Sequence, residues 1–271
     1  MVIPVWDRNP VRRTPVVTWL LIAVNVGVFL VTPVAGTALG GGGAARICRS
    51  EAFYQRYGAE PRELIRNQAD RGPVPTGEVV QDAFGRPVAC VAAPPTYDKI
   101  PVLSVLTAMF LHGSWLHLLG NMLFLFVFGN NVEDRLGRLR YLLFYLLCGY
   151  VATYAFAAAS LDSTTTLVGA SGAIAGVLGA YLVLYPRVRV ISLIPFLLFL
   201  PFPLPAWLVL GSWFLLQWMY ASGVAVTQAT GVAYLAHVAG FVVGALLALP
   251  LRGRGQPRRT YPQPPPPRPY W

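Results

Sequence analysis

An all-α membrane protein, built as a bundle of six membrane-spanning helices with a long extracytoplasmic loop after the first, is the fold this sequence predicts. Three observations predict it. The 271 residues are 55% hydrophobic and only 12% charged, against about 25% charged in ordinary soluble domains. A soluble core could not hide so much apolar surface, whereas a bilayer accepts it. Apolar runs recur at about 16–35, 103–129, 139–161, 171–186, 190–220 and 232–251, and a spanning helix needs about 20 such residues. Finally, basic residues concentrate in alternate connections between these runs.

Taken in order, residues 1–15 read as a cytoplasmic N-terminal tail. Arg12 and Arg13 precede the first run, and no small-residue cleavage site follows it, so the run stays as the first span. The membrane domain extends over 16–251 and includes the extracytoplasmic loop 36–100. That loop opens on Gly40, Gly41, Gly42 and Gly43, a flexible linker. The stretch SEAFYQRYGAEPRELIR then predicts a short amphipathic helix, a turn at Gly58 and Pro61, and more helix. Phe53, Tyr54 and Tyr57 suit either a membrane interface or an ordinary solvated loop. Residues 70–98 are rich in Pro and Gly and predict irregular chain. Cys48 and Cys90 share this loop, on the side where disulfides persist, and a bond between them is expected. Cys148 falls alone in the third span, as a small buried apolar residue. No CxxC or Cys/His spacing suggests a metal site.

The fifth run is too long for one span and is broken by Pro195, Pro201, Pro203 and Pro205. It predicts an interfacial stretch followed by a helix from about Ala206 to Tyr220. Residues 252–271 (RGRGQPRRTYPQPPPPRPYW) form a basic, polyproline-prone tail. Such a tail can attract anionic lipid or a polyproline-reading domain, or it can simply be solvated while its arginines fix topology.

Orientation follows from the basic residues. The two tails and the connections 130–140 and 186–190 hold thirteen arginines and three acids, while the opposite side holds eight basic residues and eight acids. The net charge of +10 therefore sits on one face, which the positive-inside rule makes cytoplasmic, with both termini. Nucleic-acid binding would need one basic patch on a soluble domain, and this pattern argues against it. One lysine against twenty arginines suggests a GC-rich bacterial genome, and hence a plasma membrane.

Polar groups at membrane depth are costly and point to function. In this topology spans two, four and six run the same way. His117 lies 16 residues before Glu133, Ser171 lies 16 before Arg187, and His237 lies 15 before Arg252. At about 1.5 Å per residue all three stand about 22–24 Å above the cytoplasmic edge. Asn121, one turn on, shares the helix face of His117. A serine hydroxyl needs a neighbouring base, and histidine is the usual one. Small residues let two helices approach closely: Gly172, Gly176 and Gly179 on the serine helix face Gly240 and Gly244 on the histidine helix. Gly169 and Gly172 flank the serine pair Ala170-Ser171. No Asp or Glu lies in a span, and Asp162 lies in a loop, so the pattern is a Ser–His dyad. The Ser171 N–H at a helix start, the Asn121 amide and a His117 N–H are candidate oxyanion donors. His112, five residues before His117, lies off that face and reads as structural.

These residues carry a resemblance. His112-Gly-Ser-Trp-Leu-His117-Leu-Leu-Gly-Asn121, Gly169-Ala-Ser171-Gly172 and Gly231-Val-Ala-Tyr-Leu-Ala236-His237-Val-Ala-Gly240, with Glu133-Asp134-Arg135-Leu136-Gly137, resemble the rhomboid family of intramembrane serine proteases. The resemblance covers about 100–251 and the first span. It implies a six-helix bundle with a water-filled cavity open to the outside, Ser171 as nucleophile, His237 as base, and His117 and Asn121 near the oxyanion. It also implies no cofactor, and single-span membrane proteins as substrates. Two features depart from it. Some members carry an aromatic residue four after the serine, where this chain has Ala175, so His237 must be held otherwise. Loop 70–98 has no counterpart in the family minimum. Two other classes compete: a catalytically inactive relative that binds membrane clients, and a transporter. Inactive relatives lose the serine or histidine, or place Pro before the serine, whereas Ala170, Ser171 and His237 all stand. A transporter usually shows two related halves, and no such repeat is visible.

Overall fold

The computed structural model describes residues 2–33, 43–69, 72–195, 199–223 and 232–253. Gly40, Gly41, Gly42, Gly231 and the tail from Arg254 onward lie outside the described residues. In chain order the elements are β1 (Ile3–Asp7), α1 (Val16–Val31), α2 (Ala44–Tyr57), α3 (Pro61–Arg66), β2 (Val74–Gln81), β3 (Pro87–Ala93) and α4 (Pro101–Ala108). They continue as α5 (Trp115–Phe124), a π-turn (Leu125–Gly129), α6 (Asn130–Leu136), α7 (Arg138–Ala159), α8 (Ser171–Leu184), β4 (Arg189–Ile194), β5 (Leu200–Pro205), α9 (Ala206–Ala221) and α10 (Tyr234–Ala248).

Helix α8 is the axis around which the others stand. Every residue from Ala173 to Tyr181 is buried, as expected of a helix that is apolar on all sides. Its neighbour α10 approaches closest, because glycines replace side chains along the seam. A Cβ on Gly240 would overlap the Gly172 carbonyl, and one on Gly244 would overlap the Gly176 carbonyl. Cys148 of α7 presses on Gly176 and is fully buried, as its sequence context predicts. Among the described residues three helical stretches, Trp115–Leu136, Arg138–Ala159 and Tyr234–Leu251, are long and apolar enough to cross a bilayer on their own. Helices α1, α8 and α9, of 16, 14 and 16 residues, fall short of the usual span of about 20.

The segment Glu133-Asp134-Arg135-Leu136-Gly137 ties helix ends together at the pole away from the serine. Glu133, 3% exposed, accepts from the N–H groups of Val17 and Thr18 and from the Thr18 hydroxyl at 2.8–3.0 Å. It thereby satisfies the first turn of α1 from a different helix. Asp134 accepts from the Arg13 N–H, and Arg135 donates to the Leu251 carbonyl just beyond α10. Gly137, at φ 80°, makes the turn into α7.

The all-α expectation needs correcting, because two sheets are present among the described residues. At the same pole β1, β4 and β5 form an antiparallel sheet in the order β1-β4-β5. Strand β1 lies within the segment expected as a tail. In the predicted interfacial stretch, Val190 and Ser192 of β4 are buried while Arg189 is exposed, the two-residue alternation of a half-buried strand. Pro201, Pro203 and Pro205 sit opposite Leu193, Ile191 and Arg189. Lacking N–H groups, they leave the ladder bonds to Leu200, Phe202 and Leu204. The helix after them starts at Ala206, where it was expected.

The second correction concerns loop 70–98. Strands β2 and β3 form a hairpin where irregular chain was expected. Gly85, at φ 74°, turns the chain, and Asp82 accepts from the N–H groups of Phe84 and Arg86. The Pro and Gly content thus belongs partly to a defined turn. Cys48 of α2 and Cys90 of β3 are joined as a disulfide. Together α2, α3 and the hairpin form a cap at the serine end of the bundle. Tyr54 donates to the His112 carbonyl at 2.8 Å. Ala59 and Leu167 exchange backbone bonds, and a buried Lys99–Glu63 ion pair at 2.6 Å fixes the start of α4 against α3.

Candidate active site

Ser171 is the first residue of α8. The approach to it is set by Gly169, whose φ of 125° disfavours any side chain and whose N–H donates to the Ala108 carbonyl at 2.9 Å. A Cβ at this position would stand 2.8 Å from His117 Nε2. The glycine therefore lets the histidine approach the serine loop.

Across the glycine seam, His237 Nε2 lies 2.8 Å from Ser171 Oγ. Gly172 and Gly240 are the positions where the two backbones nearly touch, so the short bond follows from the absence of side chains beside it. The other ring nitrogen, His237 Nδ1, lies 2.8 Å from Gln217 Oε1. Trp213 flanks the imidazole with ring centres 6.0 Å apart, and Tyr234 meets it edge-on at 6.4 Å. With Ala175 in place of an aromatic on the serine helix, helix α9 supplies the ring instead.

His117 stands on α5, whose first turn is capped by the Ser114 hydroxyl accepting from the His117 N–H at 3.1 Å. Its Nδ1 faces the Gly113 N–H at 3.4 Å, which leaves Nε2 as the ring nitrogen that carries hydrogen. Asn121, 9% exposed, has a buried amide nitrogen with no hydrogen-bond partner among the described residues. His112, fully buried, packs edge-on against His117 with ring centres 5.0 Å apart, consistent with a structural place. Asp162 pairs with Arg66 at the surface, away from the dyad.

Ser171, His237, His117, Asn121 and Gln217 all line one open cavity of about 670 Å³, within the usual range for ligand pockets. Its remaining wall is mostly apolar, including Phe124, Ile174, Leu178 and Leu216. Among the described residues no Asp, Glu, Lys or Arg lines it. The sequence places four of these five at one level. Gln217 was missed, although it is the single amide in α9, a position as anomalous in hydrocarbon as those of the histidines.

The serine, the histidine and the glycine seam between them all fall within the region that the family comparison covers. The sequence profile of the Rhomboid domain matches residues 101–254. The chain belongs to the rhomboid family. The matched region of this rhomboid chain contains every helix that lines the cavity. Among curated proteins it is similar to RHOMBOID-like protein 6, mitochondrial, of Arabidopsis thaliana, with 38% identity over 78 residues, or 29% of this chain and 25% of that protein. The chain thus spans a quarter of that relative's length. Family and apolar helices together make this rhomboid a multi-pass membrane protein.

Proposed function

We propose that this rhomboid is an intramembrane serine endopeptidase that cleaves single-span membrane proteins through a Ser171–His237 dyad. The 2.8 Å approach of Ser171 Oγ to His237 Nε2 inside an open cavity carries the reading. The hydroxyl donates its proton to Nε2 as Oγ attacks the scissile carbonyl. The developing oxyanion is met by the Ser171 N–H at the α8 N-terminus, the unpartnered Asn121 amide and the His117 Nε2–H. His237 then gives its proton to the leaving amine, and a water entering through the cavity mouth hydrolyses the acyl-enzyme. Gly169, Gly172 and Gly240 support the site by letting the backbones close on it.

The proposal includes six spans, with α1, α8 and α9 crossing beside the three longer stretches. A short α8 is acceptable because protein rather than lipid surrounds it. It also includes both termini on the cytoplasmic side of a bacterial plasma membrane, a membrane domain over 16–251, and tails at 1–15 and 252–271. The relative's mitochondrial name offers a different compartment without altering the chemistry.

The test is fluorophosphonate labelling of purified protein together with cleavage of a single-span substrate. Ser171→Ala and His237→Ala should each abolish both, since the pair acts as a unit, while the proteins stay folded. Labelling or cleavage undiminished in Ser171→Ala would overturn the reading. A wild-type protein that binds membrane clients but neither labels nor cleaves would establish the alternative, a catalytically silent relative.

A further inference from the structure

We infer that Gln217 is a positioning residue for the proposed reaction: its side-chain oxygen holds the imidazole of His237 in the one tautomer that can act as a base toward Ser171. This rests on the dyad reading. Its geometric basis is the 2.8 Å contact between His237 Nδ1 and Gln217 Oε1, on the opposite edge of the ring from the 2.8 Å contact with Ser171 Oγ.

A neutral imidazole carries one proton, on either nitrogen. An amide oxygen can only accept, so it fixes the proton on Nδ1. Nε2 is then left as a lone pair aimed at the serine hydroxyl. With the proton on Nε2 instead, the ring would donate to Ser171 and could not take its proton. The same contact acts again once the ring is doubly protonated, because Nδ1–H then donates as part of a cation, and such bonds are stronger than neutral ones.

Among the described residues no carboxylate lines the cavity, and the rings beside His237, Trp213 and Tyr234, meet it by ring contacts. Gln217 itself is 6% exposed and stands one turn beyond Trp213 on α9. The helix thus delivers the aromatic wall and the acceptor from adjacent positions on one face. A buried glutamine in an apolar helix is costly unless bonded, and the imidazole is the partner it finds.

The experiment compares wild type with Gln217→Leu and Gln217→Met, which remove the acceptor, and with Gln217→Glu, which keeps an oxygen in place in either protonation state. Three quantities are measured: the rate of fluorophosphonate labelling, kcat and KM for a single-span substrate, and the melting temperature. The chain has only three histidines, so selective ¹⁵N-histidine NMR can follow the protonated nitrogen of His237 directly. Leu and Met should slow labelling and kcat by about 10- to 100-fold, the size expected for losing a bond to a charged group. KM should change little, and the His237 signals should shift away from a pure Nδ1–H form. Glu should restore most of the rate. Wild-type rates in Leu and Met would overturn the inference while leaving the dyad standing. So would a loss of rate that Glu fails to restore, since shape rather than the acceptor would then matter. A wild-type protein that does not label would remove the dyad reading and this inference with it.

Discussion

Asn121 shows how a single residue can be read two ways and then separated. Its amide nitrogen is buried without a partner among the described residues, which is unfavourable in a resting protein but suitable for a donor whose acceptor appears during reaction. Asn121→Ala should lower kcat by about 10²–10³-fold at most, with KM nearly unchanged, because the Ser171 and His117 donors remain. Near-normal kcat with a reduced melting temperature would instead make it a bridge between helices. At this scale the sequence was informative wherever a polar side chain interrupts an apolar run. His117, Asn121, Ser171 and His237 could be set at one depth by counting residues from the nearest charge, and they do line one cavity. Gln217 escaped because its helix follows a stretch broken by prolines, so there was no near charge from which to count. Ala175 had raised the question of what steadies the histidine, and the answer lies on that unmeasured helix.

The elements were legible to differing degrees for a physical reason. Helices announce themselves through apolar length, and α7 and α9 fall where the sequence predicts them. Strands do so weakly. Neither β2 nor β4 exceeds eight residues, and prolines that sit at alternate positions of an edge strand look from sequence like breaks. The hairpin is secured by Cys48–Cys90, whose sequence separation of 42 corresponds to about 3–4 kcal/mol in the chain-entropy view. Protein purified without reductant should therefore resist alkylation at both cysteines. Cys90→Ser should raise hydrogen exchange across 74–93 well before the α7–α8–α10 bundle responds. Alkylation of both thiols in untreated protein would count against the bond.

Across the whole molecule, the N-terminal strand is locked into the bundle through Asp7. This carboxyl, 6% exposed, accepts from the Tyr181 hydroxyl at 2.6 Å and from the Asn131 amide at 2.7 Å. Burial outweighs those bonds and pushes its pKa from 3.8 up to about 6. The folded protein thus holds the Asp7 proton more tightly than the unfolded chain. This contribution to stability is greatest below about pH 4, falls as pH rises to about 6, and stays low above, by up to about 3 kcal/mol in all. Asp7→Asn keeps an oxygen for both donors and should raise the melting temperature at pH 7.5 while flattening its slope between pH 4 and 6. A lower melting temperature at pH 7.5 would show that the charge itself is needed. The sheet that Asp7 helps anchor has a further effect on how copies of the protein meet in a crowded membrane. Prolines at every second position of β5 leave its outer rim without backbone donors, so a strand from a neighbouring molecule finds no row of bonds to complete there. The sheet ends at β5 by its chemistry, and copies packed side by side cannot grow into a continuous ribbon from that rim.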